Sequence, residues 1–573
     1  MTRTPLAAGV LRWLRPDTAG VAFAALFFCL SLTPSLLPRD WLNSGIIGGI
    51  NAAIGYGIGV VIGGLVRRFL RGRLWWPPTG PVSYGVRGAI YGLSAAATLL
   101  MIVPAAAWQR QVAGLMDIEG PATATYLRAA PVAVLTGGLL IGGARLIKDA
   151  IKVMARWMIR RWHLSDEVAM FAGTAIVVIL IITLVNGVLL RGLLATASAT
   201  FQPQNAKTRP GVEQPQDPER SGSPASFARW DSLGLQGRTF VGTGPTAGEL
   251  TALNGKPAKE PIRIYAGLQS GATTEERVAV LLSELQRTRA FERSLLVIVP
   301  TTGTGWVDPI AARSIESMYN GDTALVAMQY SYLPSWISFL ADRQKSVEAG
   351  RAMVRAIHDR WLQWPEDRRP KLALYGESLG SMAGQGAFGY LPDIVDMGFS
   401  SVLWVGPPNE SRLWKALTDR RDPGTPEVQP RYDNGRTVRF AQAAGPAEIA
   451  AVAARPWEGT RVLYLQHASD PVVWWSPHLF LRKPDWLKEP PGFDRTRAMR
   501  WYPIVTFFQV TADMAGNVTN STGAPPGHGH QYGDQQLDGW VAVASPEGWT
   551  PFDTDRIRRA LDKAMTAGGP EFA

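Results

Sequence analysis

The chain has 573 residues, too many for one ordinary domain, and carries a formal net charge of +11. The basic excess lies entirely in the first 200 residues, which hold 18 lysine and arginine residues against 7 aspartates and glutamates. Because these basic residues stand between apolar segments, they indicate membrane topology rather than a nucleic-acid surface. The single cysteine, Cys29, lies in an apolar stretch, which excludes an intrachain disulfide and a cysteine-based metal site.

Five apolar stretches in this first part are each about 20 residues long, the length that crosses a bilayer as a helix. They are residues 18–37, 44–66, 86–107, 127–147 and 168–190. Gly55, Gly59 and Gly63 in the second stretch are spaced four apart, so they share one helix face and permit close helix packing. We therefore predict an all-α transmembrane bundle of about five helices over residues 1–200.

The loops between these stretches alternate in charge. The N-terminal segment, the second loop and the fourth loop are rich in arginine and lysine, whereas the first and third loops are poor. Since positively charged loops stay in the cytoplasm, this pattern predicts a multi-pass protein of the inner (cytoplasmic) membrane with a cytoplasmic N-terminus. Five crossings place the C-terminal part outside the cytoplasm, and a miscount by one would reverse that placement.

The remaining chain has the pattern of an α/β domain. Residues 201–228 are rich in proline, glutamine and serine without hydrophobic periodicity, which predicts a linker. Over residues 229–573, apolar runs alternate with helical patterns, as in a mostly parallel, doubly wound sheet with helices on both faces. The predicted strands are 262–265, 295–299, 324–329, 372–375, 401–405 and 462–466.

One strand-turn-helix segment, KLALYGESLGSMAGQGAF at residues 371–388, contains Ser378 between Gly376 and Gly380. Its first residues predict a buried strand, and the small apolar residues after the serine predict a helix. A G-x-S-x-G sequence in this context is typical of a nucleophile elbow, whose strained turn needs glycine neighbours. The alternative is a glycine-rich turn with an idle serine, because a chain of this composition yields about 0.3 such matches by chance.

An acid and a histidine later in the chain would complete a serine-hydrolase triad. Asp470 follows the predicted strand 462–466, at the strand end where functional groups collect in open α/β sheets. His528 and His530 lie on a loop before a predicted closing helix, and we favour His530 because it is nearer to the helix start. The histidine would take the serine proton, and the carboxylate would hold the imidazole in the required tautomer.

The other histidines of this part have different predicted roles. His467 precedes the acid and is expected to shape its turn. His358 is expected to be solvated on its helix, and His478, in a tryptophan-rich stretch, is a further alternative for the base.

The oxyanion of an acyl-transfer transition state needs two N–H donors. One is the backbone N–H of Leu379, the residue after the nucleophile. The other is expected from the loop after strand 295–299, where Thr301 and Thr302 are nearest to the strand end. An anion nest or a plain turn is the alternative for this TTGTGW loop, and its lack of a P-loop lysine argues against nucleotide binding.

Several longer motifs resemble the bacterial membrane-anchored α/β-hydrolases typical of actinobacteria, in which a multi-helix membrane domain precedes a hydrolase domain. They are SLTPSLLPRDW (31–41), TTGTGWVDP (301–309), GDTALVAMQYSYLPSWISFLAD (321–342), YGESLGS (375–381), SDPVVWW (469–475) and GHGHQY (527–532). The resemblance spans nearly the whole chain, and no predicted triad position departs from it. It implies an α/β-hydrolase fold with a serine-hydrolase site, but little about the substrate.

The sequence thus predicts a membrane-anchored serine esterase, lipase or acyltransferase acting on an acylated lipid or cell-envelope component. Insertions at 407–460 and 471–527 are expected to cover the site, the second with four tryptophans. The alternative is a non-catalytic lipid-binding or scaffold module of a membrane complex. A transporter is disfavoured because the spans hold few ionisable residues. We expect no metal, no organic cofactor and no nucleic-acid partner, and the sequence predicts no oligomeric state.

Overall fold

The computed structural model describes residues 16–70, 81–185, 192, 196, 201–334, 337–339, 343–518 and 524–572. They form two units, which we call the helical unit and the sheet unit. The helical unit comprises Met1–Gly192, Pro477–Leu487 and Thr496–Gly523. The sheet unit comprises Leu193–Ser476, Lys488–Arg495 and Ala524–Ala573. The predicted insertion 471–527 is therefore divided between the two units.

The main elements follow the alternation that the sequence predicts in its second part. The main helices are α1 (Thr18–Ser31), α2 (Trp41–Leu70), α3 (Pro81–Gly114), α4 (Thr123–Tyr126), α5 (Ala129–Trp162), α6 (Asp166–Ile182), α7 (Gly234–Gly242), α8 (Ala247–Asn254), α9 (Thr274–Arg287), α10 (Pro309–Met318), α11 (Arg343–Leu362), α12 (Leu379–Gln385), α13 (Leu391–Asp396), α14 (Arg412–Asp419), α15 (Pro446–Ala453), α16 (Pro471–Trp474), α17 (Val505–Val518), α18 (Gln535–Ala544) and α19 (Pro551–Thr566). The strands are β1 (Ile262–Ala266), β2 (Leu295–Pro300), β3 (Thr323–Met328), β4 (Lys371–Glu377), β5 (Phe399–Val405), β6 (Val438–Ala441) and β7 (Arg461–Leu465).

Four helices among the described residues are long and apolar enough to span a membrane. The candidate spans are Trp41–Phe69 in α2, Ser83–Gly114 in α3, Thr123–Trp162 across α4 and α5, and Asp166–Val185, which begins with α6. Large apolar side chains on them point outward; for example, Phe171 is 78% exposed and Val134 is 74% exposed. Such surfaces fit a hydrocarbon surrounding, because water would oppose their exposure.

The first predicted span is shorter than expected. Helix α1 has 14 residues and ends at Ser31, whereas the apolar stretch runs on to residue 37. A helix of this length is about 21 Å long, and the hydrocarbon core of a bilayer is about 30 Å thick. Pro34 and Pro38 follow α1, and proline ends a helix because it removes an N–H donor and clashes with the preceding turn.

The glycine face of α2 packs against α1. A β-carbon at Gly59 would lie 2.5 Å from the carbonyl oxygen of Ala19, and one at Gly55 would lie 2.5 Å from that of Phe23. Real β-carbons do not approach so closely, so only glycine permits this helix spacing. The predicted role of the four-residue glycine spacing is confirmed.

Helix α17, from the predicted insertion 471–527, belongs to the helical unit. The Gln509 amide donates to the Thr33 carbonyl (2.9 Å), and Asp513 Oδ2 accepts from the Leu36 N–H (3.0 Å) and the Ser35 hydroxyl. Arg39 Nε lies 3.7 Å from Asp513 Oδ1, and both side chains are buried. The segment after α1, whose motif carries part of the family resemblance, is thus a binding surface for α17 rather than a continued span.

The sheet unit has seven parallel strands in the order β1-β3-β2-β4-β5-β7-β6. All six residues of β2 are buried, as expected for a strand covered by helices on both faces. The six predicted strands are confirmed. The seventh, β6, was not predicted; it lies inside the predicted insertion 407–460 and pairs with β7.

The segment predicted as a linker is hydrogen-bonded to the rest of the sheet unit. Arg220 is buried, donates to the carbonyl oxygen of Val241 (3.2 Å) and pairs with Glu260 (2.7 Å). The Ser221 N–H donates to the Arg263 carbonyl of β1 (2.9 Å). These polar groups of the predicted linker therefore have partners beside the first strand.

Candidate active site

Ser378 lies on a sharp turn between β4 and α12. Its backbone has φ 53° and ψ −125°, an unfavourable conformation for a residue other than glycine. A β-carbon at Gly380 would overlap the Pro300 carbonyl oxygen, and one at Gly376 would lie 2.7 Å from the backbone of Gly380. Both glycines of the motif are therefore required by close backbone approach. The Ser378 N–H donates to the Val405 carbonyl at the end of β5 (2.9 Å).

Asp470 and His530 are hydrogen-bonded to each other. Asp470 follows β7, is fully buried, and its Oδ2 lies 2.7 Å from His530 Nδ1. The same oxygen accepts the Tyr532 hydroxyl (2.7 Å), and Oδ1 accepts the Val472 N–H (2.8 Å). These bonds fix the plane of the carboxylate. The arrangement can hold an imidazole with its proton on Nδ1 and its Nε2 available for proton transfer.

The ends of neighbouring strands bring the serine turn and this pair to the same region. Gly406 follows Val405, whose carbonyl accepts the Ser378 N–H. A β-carbon at Gly406 would lie 2.6 Å from His530 Cε1. The imidazole therefore packs directly on the backbone next to that bond. Any side chain at position 406 would displace the ring.

His528 makes a different pair. Its Nδ1 lies 3.2 Å from Oδ2 of Asp494, so the two histidines of the loop do not share the predicted acid. Asp494 was not predicted as a site residue. It belongs to the insertion 471–527, and no motif or strand end in the sequence marks it.

The structure gives the other histidines of the predicted hydrolase part different surroundings. His467 is buried; its Nδ1 lies 2.7 Å from the Gly529 carbonyl and its ring stacks on Tyr532 at 4.1 Å. Burial lowers the pKa of His467, in keeping with the predicted structural role. His358 was expected to be solvated, but it is 9% exposed and stacks between aromatic rings. His478 belongs to the helical unit.

The predicted oxyanion donors lie on two adjoining turns. Gly380, next to Leu379, abuts the backbone of Pro300 and Thr301. The start of α12 and the loop after β2 are therefore neighbours, as an oxyanion hole requires. The Thr302 N–H donates to the Trp306 carbonyl at 3.4 Å, so it points into its own loop. The Thr301 hydroxyl donates to the Met328 carbonyl (2.7 Å), which anchors the loop to β3.

Two models of one known family match the chain. A model described as the alpha/beta-hydrolase family matches residues 262–557, more than half of the chain. This chain belongs to the α/β-hydrolase family. A second model, described as the N-terminus of that family, matches residues 32–245. Searches of the curated proteins and of the solved structures found no match.

This α/β-hydrolase contains two buried acids beside the predicted site that the sequence did not reveal. The two acids are Glu377, which directly precedes the serine, and Asp308. Burial raises the pKa of Glu377 well above its ordinary value, and the negative charges of Asp308 and Asp470 raise it further. The Tyr375 hydroxyl contacts both Glu377 Oε2 (3.0 Å) and Gln536 Oε1. One hydroxyl proton cannot serve both acceptors, so a protonated Glu377 fits this chain of bonds.

Stability of the α/β-hydrolase should fall as Asp308 ionises. Burial raises the pKa of Asp308 from 3.8 to about 6. A carboxyl with a raised native pKa favours the folded state below its unfolded pKa, and that advantage is lost as pH rises from about 4 to about 6. At about 1.4 kcal/mol per pKa unit, the loss is about 3 kcal/mol. Asp308→Asn should remove this loss while keeping the oxygen that caps the Ala311 N–H (2.8 Å).

The measurement is the denaturant midpoint of the full chain in detergent at pH 4.5 and pH 7.5. Asp308→Asn should gain stability relative to wild type at pH 7.5 more than at pH 4.5. Asp555→Asn, at an exposed position of α19, is the control, and its midpoint should differ from that of wild type by the same amount at both pH values. The same difference in midpoint between wild type and Asp308→Asn at both pH values would contradict the prediction.

Proposed function

We propose that this α/β-hydrolase is a membrane-anchored serine hydrolase, an esterase, lipase or acyltransferase that acts on an acylated lipid or cell-envelope component. The 2.7 Å bond between His530 Nδ1 and Asp470 Oδ2, beside the strained Ser378 turn, is the observation that carries the proposal. A serine hydroxyl is a weak nucleophile at neutral pH and needs such a base.

In the proposed reaction, Ser378 Oγ attacks the acyl carbon and His530 Nε2 takes its proton. Asp470 keeps the imidazole oriented and stabilises its positive charge. The Leu379 N–H and a donor from the Thr301–Thr302 loop stabilise the oxyanion. The imidazolium then protonates the leaving alcohol, and an acyl-serine remains. Water completes hydrolysis, and an alcohol completes acyl transfer, by the same steps in reverse.

The proposed substrate class follows from the four long apolar helices, which would keep the hydrolase close to acylated lipids. We place the protein in the inner (cytoplasmic) membrane. Arginines cluster in the last turns of α2 and α5, which favours a cytoplasmic position for both of those ends. A crossing by α6 then puts the sheet unit outside the cytoplasm. This placement depends on the arginine-rich ends of α2 and α5 and on a crossing by α6, and not on whether α1 crosses.

A fluorophosphonate probe tests the proposal directly, because it forms a covalent adduct only with an activated serine. We expect one adduct on the detergent-solubilised full chain, mapped by peptide mass spectrometry to Ser378, with loss of ester turnover in step with labelling. A folded chain that takes up no probe and turns over no ester, across acyl chain lengths, would instead favour the non-catalytic lipid-binding or scaffold module.

A further inference from the structure

The buried carboxylate of Asp494 lies where the loops of the predicted acid and base meet. Residues 488–495 are a part of the insertion 471–527 that belongs to the sheet unit, and Asp494 is fully buried there. Its Oδ2 accepts the Ser469 hydroxyl and lies 3.2 Å from His528 Nδ1. Ser469 directly precedes Asp470, and His528 lies two residues before His530.

Further bonds connect the same two loops. The Gly529 N–H donates to Ser469 Oγ (2.9 Å), and the Gly529 carbonyl lies 2.7 Å from His467 Nδ1. With the His530–Asp470 bond, the turn 467–470 therefore bonds to two successive residues of the loop, Gly529 and His530. Asp494 joins this network from a third segment and bonds to one member of each loop.

The loop that carries His530 has one short backbone bridge of its own, between His528 and Gln531. Between residue 524 and α18 it has no regular helix or strand, and Gly527, Gly529 and Gly533 all have positive φ. Glycine at such positions gives the backbone many alternative conformations. The bridge fixes the shape of the loop, and the side-chain bonds described above fix its position on the turn 467–470.

We propose that Asp494 is a positioning residue for catalysis: through Ser469 and His528 it fixes the loop of the base against the loop of the acid. The inference rests on the proposed function. A displacement of a catalytic group by about 1 Å can reduce the rate about 100-fold, so a small shift of this loop has a measurable effect. The Asp494 carboxylate lies 3.2 Å from His528 Nδ1. Its negative charge also acts on His467 and on the neighbouring Arg495.

The test compares Asp494→Ala, Ser469→Ala and the double variant in the full chain, with a 4-nitrophenyl ester as substrate. Alanine is used at position 494 because both bonds go to Oδ2, and an asparagine oxygen could still accept them. Each single variant should lower kcat about 10- to 100-fold with KM within about twofold, because orientation changes and binding does not. The double variant should lose less than the product of the two single losses, since both changes break the Ser469–Asp494 bond. Should Asp494→Ala not fold, as judged by its melting temperature, His528→Phe decides by the same kcat criterion, because it removes the ring nitrogen that meets Asp494.

Glu489→Gln is the matched control. Glu489 lies in the same returning segment and pairs with Arg421 (2.7 Å), so its loss should leave kcat within about twofold. Unchanged kcat in Asp494→Ala and Ser469→Ala, an effect confined to KM, or losses that multiply in the double variant would each overturn the inference. Absence of any adduct at Ser378 in wild type would instead refute the proposed function, so the two failures are distinguishable.

Discussion

Replacement of Ser378 by alanine should abolish fluorophosphonate labelling and lower ester turnover by about 10⁴- to 10⁶-fold. The hydroxyl forms the bond to the acyl carbon, so no other group on the turn can substitute for it. Any activity that remains would come from binding and from the oxyanion donors alone. Labelling is the more direct readout, because it does not require the physiological substrate.

The fold should be unaffected by this change. Alanine keeps the β-carbon, so the strain at φ 53° is the same in both chains, and the N–H bond to Val405 involves only the backbone. The melting temperature should therefore match wild type. Ser314→Ala on α10 is the control: this serine is fully buried and its hydroxyl has no hydrogen-bond partner in the described residues. It should keep full labelling, and a labelled Ser378→Ala variant would contradict the assignment.

Features with a local cause were predictable from the sequence. Continuous apolar runs predicted six strands, because strands buried on both faces carry no polar alternation. The position of Ser378 followed from glycine spacing between a strand and a helix, and Asp470 followed from its place after a strand. Strand β6, VRFA, was missed because it lies within residues 407–460, which the sequence analysis assigned to an insertion. Its arginine, Arg439, is buried and donates to backbone carbonyls, a pairing that no local pattern indicates.

Features that depend on distant partners were not predictable. Asp494 has bonding partners in two other segments, and its own neighbours in sequence form no motif. Asp513 meets Ser35 across 478 positions of the chain, so its burial in the helical unit had no signal in either segment alone. An ionisable pair buried among apolar helices is costly unless each partner is satisfied. The motif at 31–41 could be recognised from the sequence, but its role in binding α17 could not.

Replacement of His530 by glutamine should lower kcat about 10³-fold or more, whereas His528→Gln should lower it less than about 10-fold. Of these two histidines, His530 bonds to Asp470, the acid that follows β7, and His528 bonds to Asp494. Glutamine at 528 keeps a donor that can reach Asp494 and so preserves most of the bridge. The two positions form a matched pair, since they lie on one loop and their side chains are 13% and 17% exposed.

The acids provide an independent check of which histidine is the base. Asp470→Asn should lower kcat about 10⁴-fold by favouring the wrong tautomer of His530, and combining it with His530→Gln should cause little further loss. Asp494→Ala should remain at about 10- to 100-fold. If His528 were the base, the order would reverse: His528→Gln and Asp494→Ala would be the severe variants, and Asp470→Asn would be mild. Measurement of kcat for these four single variants on one ester therefore separates the base from the residue that positions its loop.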